Sequence, residues 1–320
     1  MSIATELQNL NDNILDAYTA VQGKGGTVPA NKNTANLDTA IASIPAAPVA
    51  YITRDIDANG KFIIPTSSFS FSLPSSAIDM GNQALSNAFY HCTGITSADL
   101  SSLQTVSGNN AFYQTFFNCT NLTSVDLSSL SKVSGNSAFY QTFLNCTNLT
   151  SVDLSSLSKV SGSNALYYTF SGCSSLTSVD LSSLTTAGST SALNYTFSSC
   201  SGLTSVDLSS LQTVSGSTAL GYTFYNCTNL ASVDLSSLSK VSGNRAFSYA
   251  FSGCSSLTSL RFPALTTSSF GSYTNQFDNM LRGCSNVTVH FPAAIQSKIG
   301  SWSSVVSGFG GTNTTVQFDL

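Results

Sequence analysis

Apolar residues return along this chain at fixed places in a 27-residue period. Leu122, Val125, Leu127 and Leu130 recur as Leu149, Val152, Leu154 and Leu157, and the same block starts again at Leu176, Leu203 and Leu230. Each unit holds two shorter periodicities. Phe112, Phe116 and Cys119 stand at i, i+4 and i+7, the spacing of one face of a short helix. Val125 and Leu127 then alternate with Ser124, Asp126 and Ser128, as a half-buried strand requires. Between units, Val133-Ser134-Gly135-Asn136 has the composition of a chain reversal. A unit therefore reads as strand, crossing, turn and short helix. None can bury its Leu, Val and Phe alone, so neighbours must stack, with strands about 4.8 Å apart. The pattern predicts an α/β solenoid with a parallel sheet on one face and short helices on the other.

The two ends of the chain depart from this period. Ile3, Leu7, Leu10, Ile14, Ala17 and Val21 alternate in steps of four and three, the seam of a helix seeking a partner. Gly23 to Pro29 interrupts it, and Asn33 or Thr34 is placed to cap a second helix carrying Leu37, Ile41 and Ile44. Self-association into a dimer or trimer and a hairpin packed on itself both satisfy this seam, since about three heptads are marginal alone. Residues 1–46 are thus expected to form a helical attachment or oligomerisation segment, 47–66 a linker and hairpin cap, and 67–291 the solenoid. The last Cys interval, from Cys254 to Cys284, is 30 residues, and beyond Pro292 the repeat fades while Ile295, Ile299, Trp302, Val305 and Val306 keep an apolar character. Residues 292–320 read as a C-terminal cap ending in a strand at Thr314 to Leu320.

Composition narrows the function classes. With 42% apolar and 8% charged residues the chain folds, and Ser, Thr and Asn take the place of charge at its surface. A net charge of −4 without any basic run excludes a nucleic-acid binder, which needs clustered cations to displace phosphate counterions. No stretch approaches the ~20 apolar residues of a membrane span, and Met1 to Leu10 lacks the features of a signal peptide, so neither membrane insertion nor a secretion leader is expected. The cysteines at 92, 119, 146, 173, 200, 227, 254 and 284 fall in one slot of successive units. They read as a reduced, buried column, not as disulfides or metal ligands. Asn118-Cys119-Thr120 is a formal glycosylation sequon that recurs as part of the repeat.

The repeat's Ala138-Phe139, Phe143, Cys146, Leu149 and Val152, with Arg261-Phe262-Pro263 and His290-Phe291-Pro292 at later strand ends, resembles the BspA-type bacterial leucine-rich repeats over about residues 67–291. That resemblance implies a leucine-rich-repeat fold and a surface-exposed, adhesive role. The units here are longer than the family's usual pattern and place Asp before the last strand Leu, so no ligand carries over. Residues 18–45, with Lys24-Gly25-Gly26-Thr27-Val28-Pro29 and Asn36-Leu37-Asp38-Thr39-Ala40-Ile41, look like an N-terminal module of bacteriophage tail or virion proteins.

Three features have the makings of sites. Asp55, Asp57 and Asn59, followed by Gly60, match the opening of a calcium-binding loop, but its twelfth position is Thr66 and not Glu. Tyr51-Ile52 and Phe62-Ile63-Ile64 flank Asn59-Gly60, so a hairpin turn explains the same residues, and no metal or other cofactor is expected. Asp99, Asp126, Asp153, Asp180, Asp207 and Asp234 should form a column on the exposed strand face, each raising its neighbours' pKa, with Arg261 and His290 following in the same slot. The column reads either as a surface Asp copied by duplication or as an acidic groove for cations, sugars or a basic partner. Tyr113, Tyr140 and Tyr167, then Tyr168, Tyr195, Tyr222 and Tyr249 one place later, form a stripe on the helical side, suited to sugar or protein recognition and equally to packing between rungs. His91 and His290 fall at opposite ends of the repeat array, so no catalytic triad is available and the chain reads as no enzyme.

The functional expectation is a phage virion-associated fibre or decoration protein, with the N-terminal helices joining other virion proteins or further copies and the solenoid facing a host-surface glycan or protein. A bacterial cell-surface adhesin and a purely structural spacer are the alternatives.

Overall fold

The computed structural model describes residues 68–73, 79–270, 275–297 and 309–320. The chain divides into two compact units, Met1–Ile64 with Leu73–Ala77, and Pro65–Ser72 with Ile78–Leu320. The account below concerns the second. The helical segment expected at 1–46, the hairpin at 47–66 with Asp55, Asp57 and Asn59, and Ile299, Trp302, Val305 and Val306 lie outside the described residues.

One seven-stranded parallel sheet runs β1 (Phe69–Ser72), β3 (Ile95–Asp99), β5 (Ser124–Asp126), β7 (Ser151–Asp153), β9 (Ser178–Asp180), β11 (Ser205–Asp207) and β13 (Ser232–Asp234). In β5 to β13 Ser and Asp point out while Val points in, the alternation the sequence carries. A second seven-stranded parallel sheet, not foreseen, is built from two-residue strands: β2 (Asp79–Met80), β4 (Thr105–Val106), β6 (Lys132–Val133), β8 (Lys159–Val160), β10 (Thr186–Ala187), β12 (Thr213–Val214) and β14 (Lys240–Val241). Val133, expected to open a turn, instead belongs to this sheet with its side chain buried. A third sheet of β15 (Ser259–Arg261), β16 (Thr288–His290) and β17 (Thr315–Gln317) follows, also parallel.

The expected short helices are absent: residues 79–270 hold no helix, and the array is a β-solenoid. The Phe-Phe-Cys segment is a run of overlapping four-residue turns. Tyr113, Thr115, Phe117 and Cys119 donate their amides three residues back, to Asn110, Phe112, Gln114 and Phe116. The intervening amides of Phe112, Gln114, Phe116 and Asn118 donate to the next rung, at Ala138, Tyr140, Thr142 and Leu144. An α-helix needs every amide for its own carbonyls four residues back, so bonding to the neighbour and helix formation exclude each other. Every fourth residue also turns left-handed: Asn110, Gln114 and Asn118 have φ of 53°, 52° and 55°. One such residue breaks a right-handed helix, yet it preserves the i, i+4, i+7 spacing of the buried side chains.

Those side chains fill the core. Phe116, Phe143, Phe170 and Phe197 are fully buried and stack with centroids 5.1–5.5 Å apart. The cysteine column is buried and free of disulfides, and its thiols donate across rungs, as from Cys146 Sγ to the Phe116 carbonyl at 3.1 Å. Thr115, Thr142, Thr169, Thr196 and Thr223 are buried in the same way, Thr169 Oγ1 donating to the Phe139 carbonyl at 2.8 Å. The hydroxyl is tolerated because the carbonyl satisfies it. The period lengthens to 29 residues between β15 and β16 and returns to 27 at the last strand pair, where Thr288, Val289 and His290 face Thr315, Val316 and Gln317.

Backbones meet most closely in a glycine slot. A Cβ on Gly162 would overlap the Gly135 carbonyl, and Gly108, Gly135, Gly216 and Gly243 are placed alike. Where Ser189 takes this slot, its hydroxyl donates to the Gly162 carbonyl at 2.6 Å. The neighbouring Gly188 amide to Val160 carbonyl bond lengthens to 3.5 Å, against 2.9 Å for Ser161 to Val133. We expect Gly162→Ala to lower stability by about 1–3 kcal/mol, measured by urea unfolding; an unchanged midpoint would contradict the close approach.

Candidate functional site

Both columns singled out from the sequence exist, and they differ in what holds them. On the strand face, Asp99, Asp126, Asp153, Asp180, Asp207 and Asp234 lie side by side in register. Each carboxylate accepts the amide two residues on, from Ser101, Ser128, Ser155, Ser182, Ser209 and Ser236, at 2.8–3.0 Å. These are Asx turns that end the strand and start the crossing. The pKa expectation is reversed for two members: hydrogen bonds from the Ser101 hydroxyl and amide hold Asp99 below the ordinary carboxylate range, and Ser182 does the same for Asp180. A shallow groove of 580 Å³ runs over this face, lined by the Ser and Asp columns. Arg261 is on β15, the strand packed next to β13 and its Asp234. It registers with His290 in the third sheet, and among the described residues no ion pair joins it to Asp234. His290 Nδ1 meets both Asp319 carboxylate oxygens, at 2.9 and 3.0 Å.

The tyrosines form a continuous stack on the turn side. Tyr113, Tyr140 and Tyr167 lie nearly parallel, 5.1 and 5.2 Å apart. Tyr168 then meets Tyr167 edge-on at 4.7 Å and carries the stack one place over to Tyr195, Tyr222 and Tyr249, at 4.4–4.6 Å. After this shift the column occupies the left-handed slot: Tyr168, Tyr195, Tyr222 and Tyr249 have φ of 52–57°. That conformation costs a bulky side chain about 1–3 kcal/mol, and the slot holds Asn87, Gln114, Gln141 and Asn279 in the other rungs. The rings are half-exposed. Burial, then neighbouring phenols, push the hydroxyls of Tyr140 and Tyr195 above their ordinary pKa.

Three features escaped the sequence reading. Tyr225 and Arg282 border the end of the stack, where a cleft of 440 Å³ is lined by Tyr195, Tyr222, Tyr225, Tyr249, Ser252 and Arg282. Lys132, Lys159 and Lys240 share an exposed slot on the second sheet, signalled in the sequence by the recurring Ser-Lys-Val. Tyr90, His91 and Phe117 cluster at the first rungs, Tyr90 stacking on Phe117 at 4.8 Å. His91 and His290 thus take separate partners. Among the described residues no group of three or more His, Cys, Asp or Glu is placed to hold a metal.

The profile of the BspA type leucine rich repeat region matches in six copies over residues 62–150, 86–220, 140–249 and 222–302. The chain belongs to this family. The BspA-type match begins at residue 62, so it lends nothing to the phage-like reading of residues 18–45, and a virion role is without support. Among solved structures, the chain is similar to a T. pallidum leucine rich repeat protein, at 20% identity over 78% of this chain and 87% of that one, TM-score 0.38. It is also similar to a leucine rich repeat protein from Bacteroides ovatus, at 17% identity over 78% and 92%, TM-score 0.21. A leucine rich cell surface protein from Faecalibacterium prausnitzii follows at 17% identity over 85% and 86%, TM-score 0.20. Such likenesses say nothing of ligand or site. No curated protein matches.

Two outcomes follow from this BspA-type geometry. Asp153→Asn keeps an acceptor for the Ser155 amide and should leave stability within about 0.5 kcal/mol, whereas Asp153→Ala should cost about 1 kcal/mol in thermal or urea unfolding. Burial raises the thiols of Cys146, Cys173, Cys200 and Cys227 well above 9.0, and Tyr140, Tyr167, Tyr168, Tyr195 and Tyr222 are raised above 10.0. Groups raised in the folded state give their full stabilisation below the unfolded values and lose it above them. Urea midpoints should therefore fall steadily from about pH 9 upward, and a flat profile to pH 11 would contradict the buried columns.

Proposed function

We propose that this chain is an adhesive module displayed on a bacterial cell surface, binding a host or environmental glycan or protein along its tyrosine stack without catalysis. The observation that carries this reading is the run Tyr168, Tyr195, Tyr222, Tyr249: half-exposed rings in ordered stacks, held in a backbone conformation unfavourable to them. Core packing does not require tyrosine there, because Asn87, Gln114 and Gln141 occupy the same slot in earlier rungs with the same left-handed backbone. Rigid rings carrying hydroxyls at rung spacing offer ring-face and hydrogen-bond contacts together, as carbohydrate and protein recognition use them. The strand-face aspartates have their structural explanation in the Asx turns, which makes that face the scaffold. Membership of the BspA-type family supports a surface role through what the resemblance implies. No helix among the described residues is long and apolar enough to cross a membrane.

A glycan array of neutral and acidic oligosaccharides, followed by titration of the hits, tests this. Tyr195→Phe with Tyr222→Phe keeps the stack and removes two hydroxyls, and should weaken binding about fivefold or more. Asp153→Asn with Asp180→Asn should leave it unchanged. Full binding by the tyrosine variant, with loss in the aspartate variant, would move the site to the strand face.

A further inference from the structure

The end of the tyrosine stack holds a gap where a small residue is bracketed by two long ones. Ser252 and its counterparts one and two rungs earlier, Tyr225 and Ser198, occupy one slot of the repeat. After the 30-residue final interval, Arg282 occupies it. Buried Ser252 thus lies between two long side chains, Tyr225 and Arg282. Two rung spacings, about 9–10 Å, separate them. The neighbouring slot changes at the same point: Tyr249 is followed by Asn279, which keeps the left-handed conformation at φ 53° but brings no ring, so the stack stops. The outer face of Tyr249 is covered only in part, by the Arg282 guanidinium 5.9 Å from its centroid.

The charge at this gap is uncommitted. Among the described residues Arg282 makes no ion pair, while the nearby acid, Asp278, is taken by Arg245 at 3.8 Å. Arg245 also acts electrostatically on Tyr222, which lines the cleft. An exposed guanidinium held against an aromatic face suits a planar or tetrahedral anion carried on a flat, hydroxylated body. The cleft's 440 Å³ falls in the range of small-molecule sites.

We propose that this cleft is an acidic-sugar subsite: a pyranose lies between Tyr225 and Arg282 against Tyr222 and Tyr249, its carboxylate or sulfate on Arg282. The inference rests on the tyrosine-face reading and adds the charge class and the place. The six carboxylates of the strand face repel the same ligand, which restricts it to this side of the solenoid.

Isothermal titration of the full chain with a uronic-acid hexamer, its neutral methyl ester and a sulfated hexamer separates the possibilities. An anionic probe, carboxylated or sulfated, should bind about tenfold or more tighter than the ester. Arg282→Gln should bring it down to the ester's affinity, with unchanged circular dichroism. Whichever anionic probe shows the Arg282 dependence names the group. An anion preference that survives Arg282→Gln, or equal affinity for ester and acids in the unmodified chain, would falsify the subsite while leaving the tyrosine face standing. Binding of every probe left intact by Tyr195→Phe with Tyr222→Phe, but lost in Arg282→Gln, would instead overturn the tyrosine face and keep the anion site.

Discussion

Hydrogen bonding from rung to rung is the constraint on which everything else in this molecule depends. In the turn segments alternate amides are committed to the neighbouring rung, and in the two seven-stranded sheets the strands pair with their equivalents 26 or 27 residues away. A helix on the third side would have drawn those amides inward and left neighbours joined there by side chains alone. The overlapping turns keep the side chains at helical spacing while freeing half of the backbone donors for the neighbour. Close backbone approach follows, and it explains the glycine slot at Gly108, Gly135 and Gly162.

Register turns every choice of residue into a column. A favourable self-contact is then repeated along the array, as in the stacked Phe116, Phe143 and Phe170, the thiol-to-carbonyl bonds and the Gln114 to Gln141 side-chain bond at 2.7 Å. An unfavourable one is repeated too. The aspartates are stacked like charges, tolerated because each is tied to its own Ser amide at an exposed strand end. With charge so scarce, acids on one sheet and Lys132, Lys159 and Lys240 on the other give the cross-section opposite signs on two faces. In such a regular object, chemistry specific to one place arises where a column is interrupted. The tyrosine shift at Tyr167 and Tyr168 and the Ser252 gap beside Arg282 are two such interruptions.

The period, the buried identities of Leu, Val, Phe and Cys, and the alternation of Ser-Val-Asp were all legible from residue order, because they follow from which side chains leave water. The aspartate and tyrosine columns followed directly, since a fixed repeat places equivalent residues one above another. The Phe112, Phe116, Cys119 spacing misled, for it records only which side chains face inward and not where the amides go. The second sheet was hidden by length: two residues such as Lys132-Val133 cannot display an alternation. Arg282 was hidden by the longer final interval, which obscures its equivalence to Ser252.

The sequence by itself determined that this chain stacks 27-residue units around a core of Leu, Phe and Cys, because burying those residues at that period admits no other arrangement. Only the tertiary structure decided the backbone of the third side, the structural use of the aspartates and the location of the cleft. Each of these depends on hydrogen bonds and gaps between residues about 27 or 30 apart, and such partners are defined only once the rungs lie against one another.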